Sequence, residues 1–146
     1  MKNFFGAVVL LFMSTSAFSQ IELVETSQSE IISRISYVYM EKVGDNEYNL
    51  FYKNMNSVGH EYTSFGFKNL DNDYDKLYSI LMKGFEDVPR DPLKLKANGE
   101  IVWLKYSMED SKAYLQIQQY DNEENAEDMR ASRLLTAEDI TNLFKK

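Results

Sequence analysis

Asn98-Gly99 constrains this chain more than any other pair of residues. It stands between two short runs that alternate apolar and polar side chains. A two-residue hairpin turn of type I′ needs positive φ at both central positions, which asparagine and glycine tolerate best. Counting outward from that turn sets a register. Ala97 faces Glu100, Lys96 faces Ile101, Leu95 faces Val102, Lys94 faces Trp103 and Leu93 faces Leu104. Successive side chains point to opposite sides of the pleat, so the hairpin has two faces. Leu93, Leu95, Val102, Leu104 and Tyr106 share one, and Lys94, Lys96, Ile101, Trp103 and Lys105 share the other.

A third strand, Ala113 to Tyr120, extends the meander that began at Pro92. It sets Ala113, Leu115 and Ile117 on one side, and Tyr114, Gln116, Gln118 and Tyr120 on the other. Joining the apolar sets makes a core face. The opposite face collects Trp103, Tyr114, Gln116, Gln118 and Tyr120, flanked by Lys94, Lys96 and Lys105. Tyrosine and tryptophan offer large contact area at low entropic cost, so this face is the candidate ligand- or partner-binding surface. The plainer reading is a solvated sheet face with lysine stems lying over Trp103.

The rest of the chain falls in place around this meander. Residues 1–19 read as a signal peptide, with Lys2 as the basic start, an apolar run from Phe4 to Met13, and Ala17 and Ser19 before a cleavage at Gln20. The run is too short for a membrane-spanning helix, which needs about 20 residues. No later stretch is long or apolar enough to span either. Residues 20–34 form a polar lead-in, and residues 35–146 form one α+β domain. Strands are expected over Ile35–Lys42, Glu47–Lys53 and Glu61–Phe67, with Gly44-Asp45-Asn46 as a turn. In the third of these, Thr63, Phe65 and Phe67 share one face.

The period then changes. Tyr74, Leu77, Tyr78, Leu81 and Phe85 make one stripe of a helix. Asp71, Asn72 and Asp73 are expected to cap it, and Gly84 and Pro89 to close it. Asp121 to Ser132 reads as an acidic loop. Thr136 with Asp139 resembles a capping box for a final helix from about Ala137 to Lys145, and Leu135 with Ile140 occupies the staple positions. The expected fold is therefore α+β: one antiparallel sheet of about six strands in βββα-βββα order, with two helices packed on one face. Glu47–Asn69 and Glu100–Asn122 have equal length and the same layout, the outline of a diverged repeat.

Composition narrows the chemistry. The net charge is −7, and the signal segment carries one lysine and no acid. An acidic domain is a poor partner for nucleic acid, whose binding rests on basic patches. There is no cysteine, so the fold depends on its core rather than on disulfides, and a lipid anchor on an N-terminal cysteine is excluded. Only one histidine is present, His60, in an expected surface turn. One histidine without cysteine cannot build a Cys/His zinc site, and any catalytic triad would have to use His60. Asp71-Asn72-Asp73-Tyr74-Asp75 spaces acids as a calcium loop does. However, Lys76 stands where glycine is needed and Met82 where a bidentate glutamate is needed. Helix capping accounts for the run, and solvation for the acids of Asp121–Asp128. No glycine-rich phosphate loop occurs. No catalytic residue, metal ligand or cofactor is assigned.

These features point to a small exported domain, periplasmic or secreted: a non-catalytic module of the bacterial cell envelope that binds a protein, peptide or glycan. A hydrolase needs only two carboxylates and is the first alternative; it would show a concave pocket with two acids, one of raised pKa. A structural subunit of an envelope assembly is the second. The signal-peptide reading is checked by the mass of the exported protein. A chain beginning at Gln20 is expected, and an uncleaved mass would indicate an anchor instead.

Overall fold

The computed structural model describes residues 28–146. The expected signal segment 1–19, and the lead-in as far as residue 27, lie outside the described residues. The elements run β1 (Ser29–Ile35), β2 (Val38–Val43), β3 (Glu47–Lys53), β4 (Tyr62–Lys68), α1 (Asp73–Asp87), β5 (Leu93–Ala97), β6 (Glu100–Glu109), β7 (Lys112–Tyr120), β8 (Met129–Ala131) and α2 (Ala137–Leu143). The class is α+β and every strand pair is antiparallel. The single six-stranded sheet expected from the sequence is replaced by two four-stranded sheets, β1-β2-β3-β4 and β5-β6-β7-β8. Each half of the chain is a four-stranded meander followed by a helix.

Two strands were not expected. Ser29–Ile35 pairs with β2 through a two-residue turn at Ser36-Tyr37, where Tyr37 takes φ 60°. That turn carries neither glycine nor asparagine, so the usual turn chemistry does not mark it. Met129–Ala131 lies within the expected acidic loop, after one turn of 3-10 helix over Ala126–Asp128. It adds to β7, and Leu135 extends that edge by bridging to Leu115.

The central hairpin has the register read from its turn. All five pairs from Leu93↔Leu104 to Ala97↔Glu100 occur, with φ 49° at Asn98 and 81° at Gly99. Asp110 and Ser111 form the next turn, both with positive φ. Val102, Leu104, Tyr106, Leu115 and Ile117 are buried, as their phase requires. In the first sheet the buried face is Val38, Met40, Leu50, Tyr52, Thr63 and Phe65.

Both sheets and both helices share one core. The helices do not sit together on one sheet face. Helix α1 packs on β6 and β7 of the second sheet, whereas α2 packs on β1 and β2 of the first and also reaches β7 and α1. Tyr74 joins the two regions, with its ring 4.8 Å from Tyr48 and 5.0 Å from Phe144.

Helix α1 ends just before Pro89, one of its two expected stops, but not at Gly84. Gly84 lies inside it, and Val88, in the left-handed region, closes it by donating from its N–H to the carbonyl of Gly84. Asn72 holds the N-cap position but makes no side-chain cap. Asp73 accepts instead from the backbone N–H groups of Leu70 and Asp71, and Asn69 Oδ1 accepts from Tyr74. These backbone bonds hold the Asp73 carboxyl below its ordinary pKa. At α2 the capping box forms as expected: Thr136 Oγ1 accepts from Asp139, and Asp139 Oδ2 accepts from Thr136. Burial raises the Asp139 pKa, but bonds from Arg133 and Thr136 outweigh it and the net shift is downward. Stability from this carboxylate is present above the ordinary aspartate range. It is lost as pH falls through the lowered value.

Gly84 has a packing role. A Cβ there would overlap the ring of Tyr106, whose hydroxyl donates 2.6 Å to the buried carbonyl of Leu81. Alanine adds about 1 kcal/mol of helix propensity, but a ring pinned in a filled core makes overpacking cost about 1–3 kcal/mol. Gly84→Ala is expected to lower stability in urea unfolding. In a Tyr106→Ala background the same change should become neutral or stabilising. Equal destabilisation in both backgrounds would remove this explanation.

Candidate functional site

The outer face of the second sheet carries the residues singled out from the sequence, but it does not keep them together. Trp103 lies between Lys94 on β5 and Gln118 on β7. The Lys94 ammonium sits 5.0 Å from the indole centroid and 3.7 Å from Glu123 Oε1. Tyr120 meets Trp103 edge to face, at 6.4 Å between centroids and 88° between planes. The Tyr120 hydroxyl donates to Met129 Sδ.

The glutamines are occupied within the protein. Gln118 is only 4% exposed, so it offers no free surface; it donates to Gln116 Oε1, and Gln116 donates to the Ser132 carbonyl. Tyr114 lies toward the far end of β7, with Lys112 6.0 Å from its ring centroid. Lys105 and Lys96 are exposed. Lys96 borders a different groove of about 380 Å³, between α1 and the hairpin, lined by Phe67, Leu70 and Ile80 among others.

Of the eight residues, Trp103 and Tyr120 line a second concavity of about 360 Å³. Its other walls were not read from the sequence. Glu100 and Ile101 come from the start of β6, Asp121 and Glu123 from the loop after β7, and Ser64 from β4 of the other sheet. Gln119 and Arg130 complete it. The cleft therefore lies where the two sheets meet, beside the expected face and not in its centre.

A polar junction shapes that meeting point. Tyr52 donates 2.7 Å to Gln119 Oε1, and Gln119 donates to the carbonyl of Ser64. Arg130 donates from Nη1 to Thr63 Oγ1 at 2.9 Å and pairs through Nη2 with Asp121 at 3.0 Å. Its buried Nε has no partner among the described residues. Burial pushes the Tyr52 hydroxyl well above its ordinary pKa, against the opposing charge of Arg130, so it stays a neutral donor. Further bonds join the β3–β4 connection to β8. Met55 N–H donates to the Ala131 carbonyl, and Asn54 Oδ1 accepts from the Ala131 N–H. One signal for Gln119 was available: it falls in phase with Leu115 and Ile117, so it was bound to point inward.

A further aromatic group lies on the outer face of the first sheet. Tyr39 stacks on Phe51 at 4.6 Å, Tyr62 leans on Tyr39 at 5.6 Å, and Arg34 lies 5.3 Å from the Tyr39 ring centroid. Among the described residues, no three or more His, Asp or Glu side chains are placed to hold a metal ion. No described helix is long and apolar enough to cross a membrane. The chain matches no protein-family model, no curated protein and no solved structure.

Tyr52→Phe tests the junction. Removing the hydroxyl leaves buried Gln119 without its donor, and a loss of about 1 kcal/mol is expected in urea unfolding. A variant as stable as the parent would mean the bond contributes nothing.

Proposed function

We propose that this chain is a non-catalytic binding module of the bacterial cell envelope, exported by its N-terminal segment, and that the cleft beside Trp103 holds a polar group of its peptide or glycan ligand. One observation carries the reading. Trp103 and Tyr120 share a concavity with three carboxylates and a guanidinium. Aromatic edges and faces supply contact area, and the charged groups supply directed hydrogen bonds to a polar ligand group. The junction under the cleft is anchored to both sheets through Gln119 and Arg130.

Three acids in one concavity also fit the hydrolase alternative.

The binding reading is tested on peptide and glycan arrays. Trp103→Ala and Tyr120→Ala are each expected to weaken retention at least about tenfold, as for hot-spot aromatics, while thermal unfolding stays cooperative. Undiminished binding by both variants would exclude the cleft. Turnover of an array glycan that is abolished by Glu100→Gln or Glu123→Gln would favour the hydrolase.

A further inference from the structure

The groove between α1 and the central hairpin is bounded by an open sheet edge. Strand β5 ends its sheet and pairs only with β6. Along an antiparallel strand, one residue turns its backbone N–H and C=O to the partner and the next turns them away. The two-residue turn at Asn98-Gly99 makes Ala97 and Glu100 a hydrogen-bonded pair, so Leu95 and Leu93 also bond to β6. Lys94 and Lys96 therefore turn their backbone groups outward. Both residues are exposed, and among the described residues no backbone bond beyond the β5–β6 ladder involves them. We propose that this edge takes an extended peptide as an added antiparallel strand, one whose residues alternate between acidic and apolar. The inference does not depend on the cleft beside Trp103.

Three features fit that occupant. The open N–H and C=O groups of Lys94 and Lys96 are the pairing groups that an added strand requires. The inward side of the edge is apolar and incompletely covered. Leu93 stays 38% exposed, and the groove beside β5 is lined by Phe67, Leu77, Ile80 and Leu70, the last 73% exposed. The outward side is basic, because Lys94 and Lys96 stand on the opposite face from Leu93 and Leu95. Lys96 has no ion-pair partner among the described residues.

The same lysines disfavour a second copy of this chain as the occupant. One β5 laid antiparallel against another would set lysine opposite lysine, and like charges opposite each other destabilise a pair. Lysine on an edge strand guards against such pairing, but it favours a strand that brings carboxylates. In an antiparallel addition, the residues directly opposite Lys94 and Lys96 share their face and exchange both backbone bonds with them. Acidic residues belong at those positions. Apolar residues belong between them, facing the groove.

The probe is a fluorescein-labelled hexapeptide alternating glutamate and valine, and binding is read from its anisotropy. Saturable binding is expected, and the same peptide with lysine for glutamate should bind more weakly. Lys96→Glu should raise the Kd by about three- to tenfold, the range of exposed ion pairs. Lys83→Glu, on the exposed side of α1, should leave it unchanged. N-methylation of the glutamates, whose N–H groups would face β5, should abolish binding, whereas N-methylation of the valines should not. In hydrogen exchange followed by NMR, the Lys94 and Lys96 amides should gain protection when the peptide is added. No saturable binding would overturn the inference, as would undiminished binding of the glutamate-methylated or the lysine peptide, or loss of binding on valine methylation. Amides of Lys94 and Lys96 left unprotected by bound peptide would overturn it too. Protection that instead rises with protein concentration, without peptide, would make the occupant a second copy and overturn it as well.

Discussion

Each sheet has its apolar face covered mainly by the helix of the other half, and the rest of the structure depends on that exchange. Helix α1 ends the first meander but packs on β6 and β7; α2 ends the second but packs on β1 and β2. Neither half alone buries its apolar residues, so the core is one unit. Helix α2 spans only Ala137–Leu143, too short to persist in water by itself. Its capping box and the complete burial of Ile140 and Leu143 hold it in place. Tyr78 and Tyr74 of α1 then close over Phe144, so the aromatic contacts run from one helix to the other.

The exchange sets the two sheets against each other, and their meeting edge cannot be wholly apolar. Gln119 and Arg130 point from the second sheet toward Tyr52, Ser64 and Thr63 of the first. Buried polar groups of this kind cost stability unless they are bonded. Here nearly all are bonded, and the same bonds tie the floor of the cleft to both sheets. The cleft is therefore a by-product of how two sheets are joined, not a feature of either sheet alone. The aromatic face of one meander, taken by itself, does not include the cleft's other walls. The phase of that face was right, yet Gln118 is buried by its packing and Tyr114 lies away from the cleft.

What was legible followed local rules. A type I′ turn at Asn98-Gly99 determines every pair in its hairpin, because the turn geometry propagates along an antiparallel ladder. The Thr136–Asp139 box could be read because both partners lie within one helical turn. Illegible elements lacked such marks. The Ser36-Tyr37 turn uses a tyrosine at positive φ, so β1 was merged into the lead-in. Strand β8 is three residues long and sits in an acidic stretch whose composition suggests solvent. Gly84 had the spacing of a helix stop, but its reason is the ring of Tyr106 lying where a Cβ would be.

The sequence by itself determined the register of the Asn98-Gly99 hairpin, the helical stripe, the final cap and the separation of apolar from aromatic–polar faces in the second meander. Those properties arise from neighbours a few residues apart, whose geometry the backbone dictates. Only the tertiary structure decided that there are two sheets, that the helices trade partners, and that Trp103 and Tyr120 share a wall with Glu100, Glu123 and Arg130. Those properties rest on contacts such as Tyr52 to Gln119 and Thr63 to Arg130, each 67 residues apart along the chain. No local pattern encodes such a distance, and only the closing of the shared core brings the two ends of it together.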